Sequence, residues 1–238
     1  EAGLGEACVT VYDTRPEVHD ALTATPGSLV ETLRGLDNLV ALARERPELQ
    51  VRVNTLLCAS NASGLHATLR DLGARGVRRF LVAEVLLSEP FDEAVEHGRV
   101  VEIVRAVVAD PALAHVTLHW RGLPLCLLSE VPGADVEAHE IDTALIDAEA
   151  EDAYFAEFFR NFTHVEACES CAEKQRCVGL QTRYVERFGA EHVVVMTDGG
   201  RSPVRIAERR GRHCFQLEPT ALDSISDRQR HLHFLGTG

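Results

Sequence analysis

Apolar positions recur along the chain in two alternating rhythms. Residues 7–12 (Ala-Cys-Val-Thr-Val-Tyr) follow the two-residue period of a strand. A polar loop with Pro16, Pro26 and Gly27 comes next. Leu29, Leu33, Leu36, Val40 and Ala43 then stand at helical spacing, which predicts an amphipathic helix over 29–45. Ser28 and Glu31 have the spacing of a capping box at its start, and Pro47 lies just past its end. Residues 50–57 predict a second strand. Asn61 is placed to cap a helix over 62–75, with Leu65, Leu69 and Leu72 on one stripe and Gly76 suited to the residue after its end. A third strand over 78–86, a third helix over 92–109 and a short fourth strand over 115–119 complete the pattern.

This succession implies an α/β fold with a parallel sheet and right-handed crossovers. The strands are short and each crossover takes about thirty residues, as in βα-barrel units. Three such units cannot close a barrel, so the expected architecture is a partial (β/α) barrel over residues 1–120. The rhythm then stops. Residues 121–190 read as a small Cys-rich metal-cluster module, with a helix-like stretch at 174–188, and 191–238 as a C-terminal tail. Missing strands are expected N-terminal to Glu1, and the sole Met, Met196, agrees with a chain that is the C-terminal part of a longer protein.

Strands buried on both faces should be continuously apolar. Here a polar face recurs: Thr10 and Tyr12 oppose Val9 and Val11, Arg52 and Asn54 oppose Val51 and Val53, and Thr117 and His119 oppose Val116 and Leu118. This is either a lumen that binds a charged ligand or an edge open to water, and recurrence on three strands favours the ligand.

Composition narrows the class. At 45% hydrophobic and 26% charged the chain is globular, and its balance of 24 basic against 37 acidic residues gives 24 − 37 = −13. Such a surface repels polyphosphate, so nucleic acid is not an expected partner. No apolar run approaches the roughly 18 residues of a membrane helix, and no secretory signal opens the chain, so a cytoplasmic protein is expected. The basic residues are nearly all Arg, with Lys174 the lone Lys, which reads as coding bias.

The seven Cys are odd in number, which disfavours a disulfide framework. Cys168-x2-Cys171-x5-Cys177 has metal-ligand spacing instead. A fourth ligand is needed. Cys126, in Gly122-Leu123-Pro124-Leu125-Cys126-Leu127 just after the last strand, is the best candidate, with Cys214 and His164 behind it. Spacing alone does not separate zinc from iron–sulfur, and ligand type leans to zinc. Cys8 and Cys58 read as buried small hydrophobes. His19-Asp20 reads as a hydrogen-bonded loop pair, His231-x-His233 as tail residues, the aromatic run 154–159 as core, and Gly3-x-Gly5 as too short for a nucleotide loop.

The order of these pieces carries a resemblance. Val9-Thr10-Val11-Tyr12, His19-Asp20-Ala21-Leu22-Thr23, Gly27-Ser28-Leu29 leading to Thr32-Leu33-x-Gly35-Leu36-x-Asn38-Leu39, then Val51-x-Val53-Asn54, Asn61 and Leu72-x3-Gly76-Val77 resemble the second half of a radical S-adenosylmethionine barrel. Pro124-x-Cys126 and Cys168-x2-Cys171-x5-Cys177-x-Gly179-x4-Tyr184 are similar to the auxiliary-cluster extension (SPASM/twitch type) of that superfamily. The resemblance spans about three quarters of the chain.

It implies an enzyme that modifies a small-molecule or peptide substrate by radical chemistry, with S-adenosylmethionine as cofactor and an electron-donor protein as a partner. Thr10, Arg52 and Asn54 would hold the cofactor, Arg52 by pairing its carboxylate. Tyr12, Thr117 and His119 would line the substrate side. Cys126, Cys168, Cys171 and Cys177 would hold an auxiliary 4Fe–4S cluster. The family's Cys-x3-Cys-x2-Cys loop for a second 4Fe–4S cluster is absent from this sequence and is expected on the missing N-terminal part, so this segment alone is expected to be inactive. The competing readings are a zinc-stabilised α/β binding module without catalysis, and a scaffold whose Cys are structural.

Overall fold

The computed structural model of the chain describes residues 5–87, 93–129, 131, 134–137, 161–174, 177–197 and 205–207. The elements are β1 (Glu6–Thr10), α1 (Pro16–Thr23), α2 (Ser28–Glu45), β2 (Gln50–Leu57), α3 (Leu65–Arg75), β3 (Arg79–Glu84), α4 (His97–Val108), β4 (Thr117–Arg121), α5 (Leu125–Leu128), β5 (Asp135–Glu137), β6 (Phe162–Thr163), β7 (Leu180–Gln181), α6 (Thr182–Phe188) and β8 (Arg205–Ala207). Four longer parallel strands stand in chain order, β1-β2-β3-β4, and the short β5 and β8 extend the sheet in parallel. The protein is therefore α/β with a parallel sheet. No helix among the described residues is long and apolar enough to cross a membrane.

Sequential order follows from the short helical crossovers, which return each strand beside the last and put α2, α3 and α4 on one face. That face holds Val53, Phe80, Val82 and Trp120, buried against Leu36 and Val40 of α2, Leu69 and Leu72 of α3, and Val100 and Val104 of α4. Gly76 ends α3 in the left-handed conformation at φ 109°, as its position foretold, and a Cβ there would stand 2.9 Å from Val40 Cγ1.

Several local expectations change. β1 starts one residue earlier and ends two residues earlier than expected, and α4 starts at His97 rather than residue 92. Helix α1 occupies what read as a polar loop, because Pro16 sits at its first turn, where a missing N–H costs nothing. The Ser28–Glu31 capping box does not form, and Glu31 instead pairs with Arg34. The cap of α2 comes from the preceding helix. Asp20 Oδ1 accepts the Leu29 N–H at 2.9 Å, and Oδ2 accepts the Gly27 N–H at 2.6 Å. Asn61 does not cap α3 either; it ties strand ends together, as described below. Of the stretch 174–188 read as helix, residues 177–179 are without regular structure and Leu180–Gln181 form β7 before α6 begins at Thr182. β8 brings a piece of the supposed tail into the main sheet. Cys8 is exposed, not buried, while Cys58 is buried as expected. Cys214, the 154–159 run, His231, His233 and Gly3 lie outside the described residues.

The N–H groups of Leu29 and Gly27, with the Ser28 hydroxyl, hold the Asp20 carboxyl below the usual carboxylate range. A depressed folded value stabilises the fold above the unfolded value of about 3.9, and that contribution is lost as pH falls through the folded value. Asp20→Ala is therefore expected to flatten the loss of stability below about pH 4, read from denaturant midpoints across the acid range. Parallel pH profiles for the two proteins would contradict this cap.

Candidate metal centre

β4 ends at Arg121, and a turn through Gly122 and Pro124 leads into α5, whose first turn carries Cys126. The other thiols come from a distant stretch. β6 and β7 pair antiparallel, Phe162 with Gln181 and Thr163 with Leu180, so residues 164–179 form the loop between them. A short 3-10 turn over Glu166–Ser170 carries Cys168 and ends at Cys171. Successive turns, Lys174 N–H to Cys171 O and Cys177 N–H to Glu173 O, then bring the chain back to Cys177.

Cys126, Cys168, Cys171 and Cys177 line one pocket, with Leu125, Leu180, Val193 and Met196 among its apolar walls. His164, the weaker candidate ligand, also lines it, and its Nε2 stands 3.1 Å from Cys177 O. The backbone points N–H groups at sulfur. Leu125 and Gly179 each donate to Cys177 Sγ at 3.4 Å, so Cys177 is tied to the segment that carries Cys126. The Val194 N–H donates to Cys126. Burial pushes the Cys126 thiol up to about 11, and the three neighbouring Cys add to the shift. Burial also raises Cys177, against the two N–H donors that lower it. Apolar walls thus favour neutral thiols, whereas N–H···S bonds favour thiolates, and a bound cationic centre would resolve the conflict. The donor set, four soft sulfurs with hydrogen-bond donors aimed at two of them, suits a thiophilic metal or an iron–sulfur cluster.

Among the described residues no group of three or more His, Cys, Asp or Glu side chains is arranged so that it could hold a metal ion. The four thiols share a pocket rather than a point. These two descriptions are compatible, because thiolates on one zinc converge at about 2.3 Å from the ion, whereas those on a cluster surround a volume.

No family model, curated protein or solved structure matches this chain.

Gln181 and Tyr184 are fastened to the C-terminal end of the sheet by a buried polar interlock. Gln181 Nε2 donates to Glu84 Oε2 at 3.0 Å and to Val85 O at 2.8 Å, while Gln181 Oε1 accepts the Leu87 N–H at 2.7 Å. The Tyr184 hydroxyl accepts the His97 N–H at 2.9 Å, and the two rings stack with centroids 3.7 Å apart. His97 Nε2 completes the group, 3.2 Å from Glu84 Oε1. Sequence reasoning missed this set. The available signal was Glu84, a charged residue closing the apolar run Phe80-Leu81-Val82-Ala83.

The polar strand residues do share the face opposite α2, α3 and α4. The register places Thr10, Asn54, Leu81 and His119 in one row and Cys8, Arg52, Arg79 and Thr117 in the next. Asn54 and Arg52 are buried, Thr10 and His119 partly so, and Thr117 is exposed. The Arg52 row is nearer the N-terminal edge of the sheet, where Glu6 Oε1 stands 3.7 Å from Arg52 Nε and 3.9 Å from Arg79. Tyr12 lies past the end of β1, buried among Leu56, Cys58, Val85, Leu180 and Tyr184. Leu180 also lines the cysteine pocket, so the Tyr12 cluster and the pocket share a wall.

Gly179 makes the loop possible. Its φ is 87°, and a Cβ there would lie 2.5 Å from the backbone oxygen of Thr163. Gly179→Ala is expected to cost about 2 kcal/mol or more in stability, and to weaken metal uptake by displacing the N–H that faces Cys177. Thermal unfolding and metal content of the purified variant check both, and wild-type values would refute the assignment.

Proposed function

We propose that this chain is the sheet and auxiliary-cluster part of a radical S-adenosylmethionine enzyme, with Cys126, Cys168, Cys171 and Cys177 holding a 4Fe–4S cluster. One observation carries the reading: thiols from two distant stretches line one pocket beside the C-terminal end of a parallel sheet in sequential order. Sequential order suits a partial (β/α) barrel, in which ligands meet the C-terminal ends of the strands. The motif resemblance favours an iron–sulfur cluster over zinc.

When bound, the cluster supplies one-electron chemistry. The chain's own contribution is to hold four sulfurs, exclude water with apolar walls, and keep the module seated on the sheet through Gln181 and Tyr184. On the polar face, Thr10 and Asn54 are the better cofactor contacts. Arg52 already has Glu6 beside it and would have to leave that partner to take a carboxylate. Tyr12, next to the pocket wall, and His119 suit the substrate side better than Thr117, which lies at the opposite end of its strand. Reductive cleavage of S-adenosylmethionine needs the second cluster, whose Cys-x3-Cys-x2-Cys loop this sequence does not contain. The substrate is a small molecule or a peptide, and an electron-donor protein is the expected partner.

The test is anaerobic reconstitution of the chain with iron and sulfide. Brown protein with about four iron and four sulfide per chain is expected. Colourless protein retaining stoichiometric zinc would favour the zinc-stabilised binding module instead.

A further inference from the structure

Basic residues number 24 in this chain and all but one are arginine. The exception, Lys174, lines the cysteine pocket. It lies in the loop between Cys171 and Cys177, held by its N–H bond to Cys171 O at 3.2 Å. Its Nζ stands 2.7 Å from Glu169 Oε1, with the Lys side chain 34% exposed and the Glu side chain 68% exposed. The ammonium therefore runs from the pocket wall towards the surface, where a carboxylate meets it. The other groups of the wall that can carry charge are the buried Glu173 and His164.

We propose that Lys174 is a positioning residue that sets the reduction potential of the cluster held by the four cysteines, with Glu169 as the counter-charge that limits its effect. The proposal rests on the iron–sulfur reading above. An added electron makes a thiolate-ligated centre more negative, in a chain whose net charge is already −13. A fixed cation at an apolar wall offsets that cost, and the offset grows as water is excluded. Lysine suits the task better than arginine does, because its charge is compact where a guanidinium's is spread over a fork. Glu169 binds the same ammonium from the solvent side and cancels part of its field.

The two charges have opposite signs, so their removal has opposite effects. The measurement is an anaerobic redox titration of the reconstituted full chain with dithionite, followed by the cluster's visible absorbance. Lys174→Gln is expected to lower the midpoint potential, making the cluster harder to reduce by on the order of tenfold in the reduced-to-oxidised ratio at fixed poise. Glu169→Gln is expected to raise it by less, since solvent screens the more exposed group. Lys174→Arg retains the charge and should stay near wild type. Iron and sulfide content should be equal in all four proteins. If Lys174→Gln takes up no cluster, the upward shift in Glu169→Gln and the near-wild-type value of Lys174→Arg still decide. Shifts of the same sign in both glutamine variants, or no shift in either, overturn the role of Lys174 alone. Absence of an iron–sulfur chromophore in the wild type overturns this role together with the proposed function.

Discussion

Cys171→Ala is expected to reduce iron–sulfur uptake to background and to expose the 161–197 region to protease, with cleavage faster by on the order of tenfold or more. The reason is how little else holds that region. Among its described residues the regular structure is the two-residue pair of β6 and β7, a 3-10 turn and the seven residues of α6. So small a segment buries little apolar surface of its own, so under the proposed reading binding energy at the cysteines would also be folding energy. The thiols of Cys126 and Cys177 reinforce the point, since burial raises both in the absence of a cation. The interlock through Gln181 and Tyr184 should survive in part, so the sheet keeps its own melting transition while the module frays. Limited proteolysis with mass mapping of the cleavage sites checks this. Equal protection of residues 161–197 in variant and wild type would show that the cysteines carry no metal-dependent fold.

Asn61→Ala should be the costliest single change in the sheet half. Asn61 is fully buried, and one amide serves three backbone groups. Its Oδ1 accepts the Cys58 N–H at 3.0 Å, and its Nδ2 donates to Tyr12 O at 2.8 Å and Leu56 O. The ends of β1 and β2 are thereby fixed to each other and to the start of the α3 turn. Truncation leaves buried donors and acceptors unpaired, at about 1–3 kcal/mol each. Tyr12 O keeps a long bond from the Thr55 hydroxyl at 3.4 Å, so the sum falls short of three full penalties. A loss of about 3–5 kcal/mol is expected, which lowers the melting midpoint by roughly 10 °C in a chain of this size. A change below about 1 kcal/mol would mean that solvent reaches these groups and that the amide is not the strut.

Legibility in the sequence divides along a physical line. α2, β2, α3, β3 and the face they bury were readable because each is long enough for its period to repeat, and local spacing reports burial directly. Gly76 was readable because one residue type meets a purely local need. The cap of α2 was not, since Asp20 reaches it from another helix and the nearer Ser28 offered a plausible local alternative. α1 was hidden by Pro16, whose loop-like signal is also that of a first helical turn. β5 and β8 are three residues each, too short for any period. For the site, alternation gave the shared face of Thr10, Asn54 and His119, but which of them stand in one row is a matter of register. That Cys126 shares a pocket with the other three Cys agrees with its place after the last long strand. The Gln181–Glu84 bond joins residues 97 positions apart. Nothing local marks such a pair except the oddity of a carboxylate at the end of an apolar strand.

Native mass spectrometry with thiol alkylation tests the central claim most directly. The reconstituted chain should carry the mass of one 4Fe–4S unit, and Cys126, Cys168, Cys171 and Cys177 should be protected together, becoming alkylated only after the cluster is removed. A chain that carries zinc, or one in which Cys126 reacts freely while the other three are protected, would contradict the account.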